Sequence, residues 1–152
     1  ISSNNFKEAL ELLENKSRSA HKEAYQKVTF FRALELYNNA KYLDAKELLN
    51  RSLSTAINPI FSARATYWKA ETDYQLSNFK EALEGFLDFK NTVKNAQLKE
   101  SKNLEYNLAY TYFKQKQYAL TINAFRSFIS TKPKNLILLS DAFLRLGDSY
   151  RI

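Results

Sequence analysis

Residues 107–113 read Asn-Leu-Ala-Tyr-Thr-Tyr-Phe, and this stretch decides the fold. Its small residue, Ala109, is followed nine positions later by an aromatic residue, Tyr118, and then by Thr121 and the large apolar Phe125. On a helix, positions i, i+3 and i+7 share one face, so the last three residues form a stripe with a smaller side chain in its middle. The stretch and the stripe therefore predict two consecutive helices that approach each other closely.

The same pattern recurs along the chain at spacings of 37 to 39 residues. The small residues that lead each copy are Ala33, Ala70, Ala109 and Gly147. The triplets that follow them are Tyr42, Ala45 and Leu49; Phe79, Ala82 and Phe86; and Tyr118, Thr121 and Phe125. The chain opens on a matching triplet, Phe6, Ala9 and Leu13, so we expect residues 1–16 to be the second half of a repeat.

The repeat predicts helices and one continuous array. The helices are expected at 3–16, 20–39, 41–56, 60–77, 79–93, 97–115, 117–131 and 136–152. Breaks are expected at Asn58-Pro59 and Lys132-Pro133, because the residue before a proline avoids the helical region. We therefore predict a single array over 1–152, in which partial repeats 1–16 and 136–152 flank repeats at about 20–56, 60–93 and 97–131.

The composition agrees with helices. The chain is 152 residues long and 45% hydrophobic, which is enough for a packed core. Two Gly and two Pro are too few for the many turns of a sandwich or barrel. No apolar run approaches the roughly 18 residues of a membrane span, so no transmembrane segment is expected.

The positive charge is concentrated in one segment. The formal net charge is +7, and residues 89–140 carry nine basic and two acidic side chains, while the rest of the chain is balanced. This asymmetry could attract an acidic partner, whether a protein segment, a lipid head group or a nucleic acid. The alternative is a lysine-rich solvated face. Nucleic-acid binding is disfavoured because the lysines are scattered rather than grouped with arginines.

Catalytic and metal-binding patterns are not found in the sequence. With no Cys and with His21 as the single histidine, a zinc site would need carboxylates at spacings that the chain does not offer. Glu8, Glu11 and Glu14 are better explained as a solvated helix face. There is no nucleophile elbow and no Gly-rich phosphate loop. We therefore expect no enzyme, no cofactor and no metal.

These stretches resemble the tetratricopeptide repeat family. Residues 107–113, with the stripe that follows them and the closing Pro133, form a near-complete motif of that family. Residues 65–71 with 78–83, and residues 146–150, are similar to a looser variant common in long bacterial cell-envelope members. The resemblance implies an all-α, right-handed superhelical solenoid of antiparallel helix pairs, with about eight helices. It also favours a periplasmic or cell-envelope location over the cytoplasm.

The sequence departs from the family at a few positions. Arg32 and Lys69 stand where the family usually has Leu, and Thr121 replaces a small Ala. Phe30 and Leu34 stand where chaperone-binding relatives have the first lysine and asparagine of their carboxylate clamp. Binding of chaperone tails is therefore not expected.

The resemblance implies that the first helix of each pair lines a concave groove. Two aromatic rows would then cross the repeats, Phe30, Tyr67 and Tyr106 in one and Tyr37, Tyr74 and Phe113 in the other. The remaining groove positions are Leu34, Glu71 and Tyr110, and the rim positions are Lys27, Arg64, Asn103 and Lys114. Tyrosine suits recognition because it joins a large apolar area to a polar tip. Alternatively, these aromatics pack helix against helix.

The sequence is compatible with two functions. The first is a protein-interaction scaffold whose aromatic groove takes a segment of a protein or peptide partner. The second is a structural spacer or self-assembly module within a larger multi-repeat protein, in which the aromatic face packs internally, against further repeats or against another copy, and leaves no free peptide groove.

Overall fold

The computed structural model describes residues 3–94 and 97–151, with side chains from residue 7 onward. Within these ranges the chain forms seven α-helices, one 3₁₀ helix and no strand, so the all-α prediction is confirmed. The α-helices are α1 (Ser3–Asn38), α2 (Tyr42–Ser54), α3 (Pro59–Gln75), α4 (Phe79–Thr92), α5 (Leu104–Lys114), α6 (Tyr118–Ser130) and α7 (Leu136–Tyr150), and the 3₁₀ helix is Lys99–Asn103. None of the described helices combines the length and apolarity that a membrane span requires.

Two predicted boundaries are wrong. The helices expected at 3–16 and 20–39 form one continuous helix, α1. The segment between them contains no Gly or Pro that would stop a helix, and the pair Glu14–Arg18, at 3.7 Å, spans it at i, i+4 spacing. The helix expected from residue 97 instead begins as a 3₁₀ turn, and α5 starts at Leu104.

The chain forms two compact units, Ile1–Ala65 and Thr66–Ile152, and the border falls inside α3. In the first unit α1 packs along α2. In the second unit α5 packs on α4 and α6, and α6 packs on α7. The single continuous array over residues 1–152 stays a prediction.

Three hairpin turns share one backbone conformation. The helix pairs α1–α2, α3–α4 and α5–α6 are each joined through a residue in the left-handed region, two positions before the aromatic residue that opens the second helix. These residues are Ala40 (φ 59°), Ser77 (φ 63°) and Lys116 (φ 60°). In each turn the next amide N–H bonds back to a carbonyl oxygen near the end of the first helix: Lys41 to Leu36 at 2.9 Å, Asn78 to Asp73 at 2.8 Å, and Gln117 to Tyr112 at 2.9 Å. This is the Schellman arrangement, which satisfies carbonyl groups that the helix end leaves unpaired.

An aromatic pair closes each of these hairpins. The ring that opens the second helix meets an aromatic ring from the end of the first helix edge-on. The centroid distances are 5.3 Å for Tyr37–Tyr42, 5.3 Å for Tyr74–Phe79 and 5.8 Å for Phe113–Tyr118. Each of the three hairpins therefore has the same turn and the same ring contact, so the repeated sequence pattern corresponds to a repeated local structure.

Six small residues of the pattern lie in the core. They are at most 1% exposed, namely Ala33, Ala45, Ala70, Ala82, Ala109 and Thr121, whereas Ala9 of the first triplet is exposed. A methyl group built on Gly85 of α4 would lie only 2.8 Å from the Cβ atom of Ala70 on α3, so these helices nearly touch there. Gly147 of α7 differs, because it is exposed and nothing lies within 4 Å of a Cβ atom built on it.

A buried glutamine organises the start of α3. The Gln26 side chain is fully buried and donates to the Asn58 carbonyl oxygen at 3.0 Å and to Ser62 Oγ at 3.1 Å. It also accepts from the Asn58 amide at 2.8 Å. The Asn58 side chain caps α3 by accepting from the amide of Ile60 at 3.0 Å, and Pro59 takes the first helical position. The predicted break at Asn58-Pro59 is confirmed.

Candidate partner-binding pocket

A pocket of about 240 Å³ opens in the second unit between α3 and α5. It is lined by Glu71, Tyr74, Gln75, Tyr106, Asn107 and Tyr110. Four of these residues, all except Gln75 and Asn107, were predicted as groove positions. The spacing i, i+4 on α5 places Tyr106 and Tyr110 on the same face.

Asn107 links the two helices that form the pocket. Its side-chain amide donates to the Glu71 carboxylate. Its carbonyl oxygen accepts from the Tyr67 hydroxyl at 2.9 Å. Because each end of the amide has a different partner, the orientation of Asn107 is fixed. The pocket wall is therefore set by hydrogen bonds as well as by packing.

An aspartate on α7 holds the two tyrosines of α5. The Asp141 carboxylate accepts from the Tyr106 hydroxyl at 2.8 Å and from the Tyr110 hydroxyl. Arg145 lies one turn further on, 3.6 Å from Asp141 and 3.1 Å from Asp148. Both hydroxyl groups are thus held by α7, and both tyrosines line the pocket.

The rings rest on a layer of phenylalanines. Tyr106 lies 5.3 Å from Phe128 and 6.3 Å from Phe125, and Tyr110 lies 5.4 Å from Phe125. The two tyrosine rings meet edge-on at 5.0 Å. Edge and tilted contacts of this kind are the favoured aromatic geometries, so the pocket surface is preorganised.

The pocket tyrosines stay protonated over a wide pH range. Burial, followed by hydrogen bonding to Asp141, raises the pKa of both Tyr106 and Tyr110 above the ordinary tyrosine value. Burial also raises the pKa of Tyr74, with smaller contributions from Tyr110 and from the negative charge of Glu71. These hydroxyls therefore act as hydrogen-bond donors rather than as bases or nucleophiles.

Two predicted groove residues are instead core residues. Phe30 is 0% exposed and packs edge-on against Phe61 at 5.4 Å, with the Arg64 guanidinium 4.8 Å from its ring. Tyr67 is 4% exposed and its ring lies 5.3 Å from Phe89. The prediction that these two side chains face a partner is wrong, because their rings are consumed by packing within their own units. For them the alternative of internal packing is the correct one.

The other predicted residues lie outside the pocket lining. In the first unit these are Lys27, Leu34 and Tyr37 of α1 and Arg64 of α3, and in the second unit they are Asn103, Phe113 and Lys114. Lys27 pairs with Glu23 at 3.2 Å. Phe113 packs on Tyr118, and Lys114 lies 5.9 Å from the Phe79 ring. With Phe30 and Tyr67 in the core, the row of Phe30, Tyr67 and Tyr106 is not a groove surface along its length. The row of Tyr37, Tyr74 and Phe113 includes residues of both units and stays a prediction.

Sequence reasoning missed Gln75, Asn107 and Asp141. A signal existed for the first two, since Gln75 follows Glu71 by four positions and Asn107 follows the predicted rim residue Asn103 by four. Residues four apart share a helix face. No such signal marks Asp141, because it reaches the tyrosines from a different helix.

The charges around the pocket differ from those of the segment as a whole. The lysine-rich segment 89–140 contributes tyrosines and Asn107 to the lining, but no lysine or arginine. The one charged residue of the lining is Glu71. Among the described residues, no group of His, Cys, Asp and Glu side chains is arranged to hold a metal ion.

The described residues define an all-α protein built of helical hairpins, one of whose units carries a tyrosine-lined pocket. Neither the family models nor the curated proteins with which the chain was compared match it.

Proposed function

We propose that this chain is a protein-interaction scaffold of the tetratricopeptide type, whose pocket between α3 and α5 anchors a side chain of a partner segment. The observation that carries the proposal is the pocket itself, in which Tyr74, Tyr106 and Tyr110 present ring surface beside the polar groups of Glu71 and Asn107. Aromatic surface with a few fixed polar groups is the usual composition of a binding hot spot.

The rigidity of the pocket supports binding. The hydroxyls of Tyr106 and Tyr110 are bonded to Asp141, and the Asn107 amide is held between Glu71 and Tyr67. A surface that is ordered before binding loses little conformational entropy when a partner arrives. The same bonds and the raised tyrosine pKa values make these groups poor catalysts, so the proposal includes no chemical step.

The family resemblance extends this proposal to the arrangement of the hairpins and to the location of the protein. The three hairpins and the flanking half-repeats would stack as one array into a right-handed superhelix, with the first helices on the concave side. The period of 37 to 39 residues would be met by helices or linkers longer than is usual in the family. A periplasmic or cell-envelope location rests on the same resemblance.

The test is a matched pair of alanine variants. Tyr74 and Tyr118 are both half-buried, and each packs edge-on against one aromatic ring of its hairpin, but only Tyr74 lines the pocket. Proteins captured by the intact protein are compared with those captured by Tyr74→Ala and Tyr118→Ala. Because loss of a packed aromatic costs roughly 3–5 kcal/mol, the helical content of both variants is checked first by circular dichroism.

The proposal expects Tyr74→Ala to lose specifically captured partners that Tyr118→Ala retains. Equal capture by the two variants, with both folded, would contradict a role of the pocket in binding.

A second candidate function, self-assembly, is favoured by two exposed apolar faces. Leu10, Leu12 and Leu13 are exposed on the first half of α1, and Ile137 and Leu144 are exposed on α7. The face on α1 belongs to the segment that matches the second helix of a repeat, and the face on α7 belongs to the segment that matches the first helix. The Phe6 side chain, which is part of the α1 pattern, lies outside the described residues. The α7 helix of one copy could therefore pair with the start of α1 in a second copy.

Such head-to-tail contacts do not close and would produce concentration-dependent chains. Sedimentation velocity over a range of concentrations tests this idea. Growing assemblies that Leu13→Lys and Ile137→Lys each abolish would favour it, and a monomer throughout would exclude it.

A further inference from the structure

We infer that the pocket between α3 and α5 selects a basic side chain of the partner, arginine in particular. The inference rests on the proposed function and adds the chemistry of the anchor. It stands on three features of the pocket: its charges, its aromatic rings and its size.

The charges around the pocket are predominantly negative. Glu71 lines it, and Asp141 lies directly behind the hydroxyls of Tyr106 and Tyr110. Arg145 is a cation beside this group: it lies 3.6 Å from Asp141 and 3.1 Å from Asp148, and a hydrogen bond with Tyr110 also raises the pKa of its guanidinium. Three carboxylates around one guanidinium leave an excess of negative charge that attracts a cation and repels an anion.

The rings add a second attraction for a cation. The face of an aromatic ring carries negative potential, and a guanidinium or ammonium within about 6 Å of the ring centre is stabilised by it. Three tyrosine rings line this pocket. The hydrogen bond from Tyr106 to the Asp141 carboxylate polarises that phenol and strengthens this effect, while at Tyr110 the neighbouring Arg145 opposes it. The same chain shows the interaction elsewhere, since the Arg64 guanidinium lies 4.8 Å from the Phe30 ring.

The size and acceptors of the pocket suit one arginine side chain. Its volume of about 240 Å³ is below the roughly 300–1,000 Å³ of pockets for drug-sized ligands. Arginine brings five N–H donors in a planar fork. The lining includes Glu71, Gln75 and Asn107, whose carboxylate and amide oxygens are of the acceptor type that this fork binds. The Asn107 carbonyl accepts one bond from Tyr67, and a carbonyl oxygen has a second lone pair.

This inference differs from what net charge predicts. The excess of lysines in residues 89–140 favours an acidic partner, but no lysine or arginine lines the pocket. An acidic side chain placed there would face Glu71 and Asp141 with like charge. The pocket and the lysine-rich segment therefore have opposite preferences, and the pocket decides the anchor.

The test uses three short alanine peptides, acetylated and amidated, that carry arginine, citrulline or glutamate at the centre. Citrulline keeps the shape of arginine without its charge. Each peptide is titrated into the full chain, and nuclear magnetic resonance follows the side-chain amides of Gln75 and Asn107 and the backbone amides of Tyr74, Tyr106 and Tyr110. We expect the arginine peptide to shift these signals saturably, roughly tenfold more tightly than citrulline, and less so at high salt.

Glu71→Gln and Glu84→Gln form the matched control. The first variant keeps the side-chain shape and an oxygen that can accept from Asn107, and the second removes an exposed carboxylate of α4 that does not line the pocket. Only Glu71→Gln should weaken arginine binding, by several-fold.

The two proposals fail in different ways. Equal or tighter binding of the citrulline or glutamate peptide at these signals overturns the arginine preference and leaves the scaffold function standing. If none of the three peptides shifts the pocket signals, both the preference and the pocket as an anchor are overturned.

Discussion

Gly85 on α4 lies so close to Ala70 on α3 that any side chain at position 85 would overlap it. A Cβ atom built on Gly85 would stand 2.8 Å from Ala70 Cβ and 3.6 Å from the Thr66 carbonyl oxygen. This contact sets the distance between the helices whose hairpin carries Tyr74, one wall of the pocket. The sequence repeat marked Ala70 as a seam residue, but it did not mark Gly85.

The first prediction compares the two glycines of the chain. Gly85→Ala should lower the free energy of unfolding by about 1–2 kcal/mol, because overpacking outweighs the gain in helix propensity. Gly147→Ala should raise it by about 0.5–1 kcal/mol, because Gly147 is helical and its Cβ position is empty. Urea denaturation followed by circular dichroism measures both. A stabilising Gly85→Ala would show that the helices separate without cost.

The second prediction concerns the left-handed turn at Ser77. A residue with a side chain is strained at φ 63°, and glycine is not. Ser77→Gly should therefore raise the free energy of unfolding by about 0.5–1 kcal/mol. The matched change Ser127→Gly, at an exposed helical position of α6, should lower it by about 0.5 kcal/mol. Opposite signs are required, and the same sign for both would disprove the account.

The third prediction tests the buried glutamine of the first unit. Gln26→Ala leaves the Asn58 backbone amide and carbonyl without their side-chain partner and opens a cavity. We expect a loss of about 2–4 kcal/mol. Gln97→Ala, at an exposed position, serves as the control and should change stability by less than about 0.5 kcal/mol. Amide hydrogen exchange at the start of α3 should accelerate in the Gln26 variant alone.

The fourth prediction concerns alkaline pH. A folded-state pKa that is raised above the unfolded value means that the unfolded chain releases its proton first as pH rises. The stability contributed by Tyr74, Tyr106 and Tyr110 is therefore fully present below about pH 10 and is lost as the pH climbs toward their folded values.

Tyrosinate absorbance provides the measurement. Tyr74, Tyr106 and Tyr110 should ionise later in the folded protein than in denaturant, and Tyr106→Phe should remove one of these late steps. Stability measured through the alkaline range should also fall less steeply for Tyr106→Phe than for the wild type. Superimposable folded and denatured titration curves would refute the prediction.

The sequence determined the hairpins and their period. The recurrence of small and aromatic residues located six seam residues that are buried, and four of the six pocket residues are among the groove positions that the family resemblance implied. These predictions succeeded because, over a few helical turns, the spacing of residues in the sequence determines which helix face they share. The pattern failed within α1, where the three residues 17–19, with no Gly or Pro among them, let a long helix continue.

Only the tertiary structure decided which aromatic rings form a surface. Phe30, Tyr67 and Tyr106 occupy equivalent positions of the repeat, yet the first two are buried and the third lines a pocket. The difference comes from neighbours on other helices, such as Phe61 beside Phe30 and Asp141 beside Tyr106. Whether a ring is exposed depends on which residues of a neighbouring helix pack against it. The spacing of residues along one helix does not contain that information.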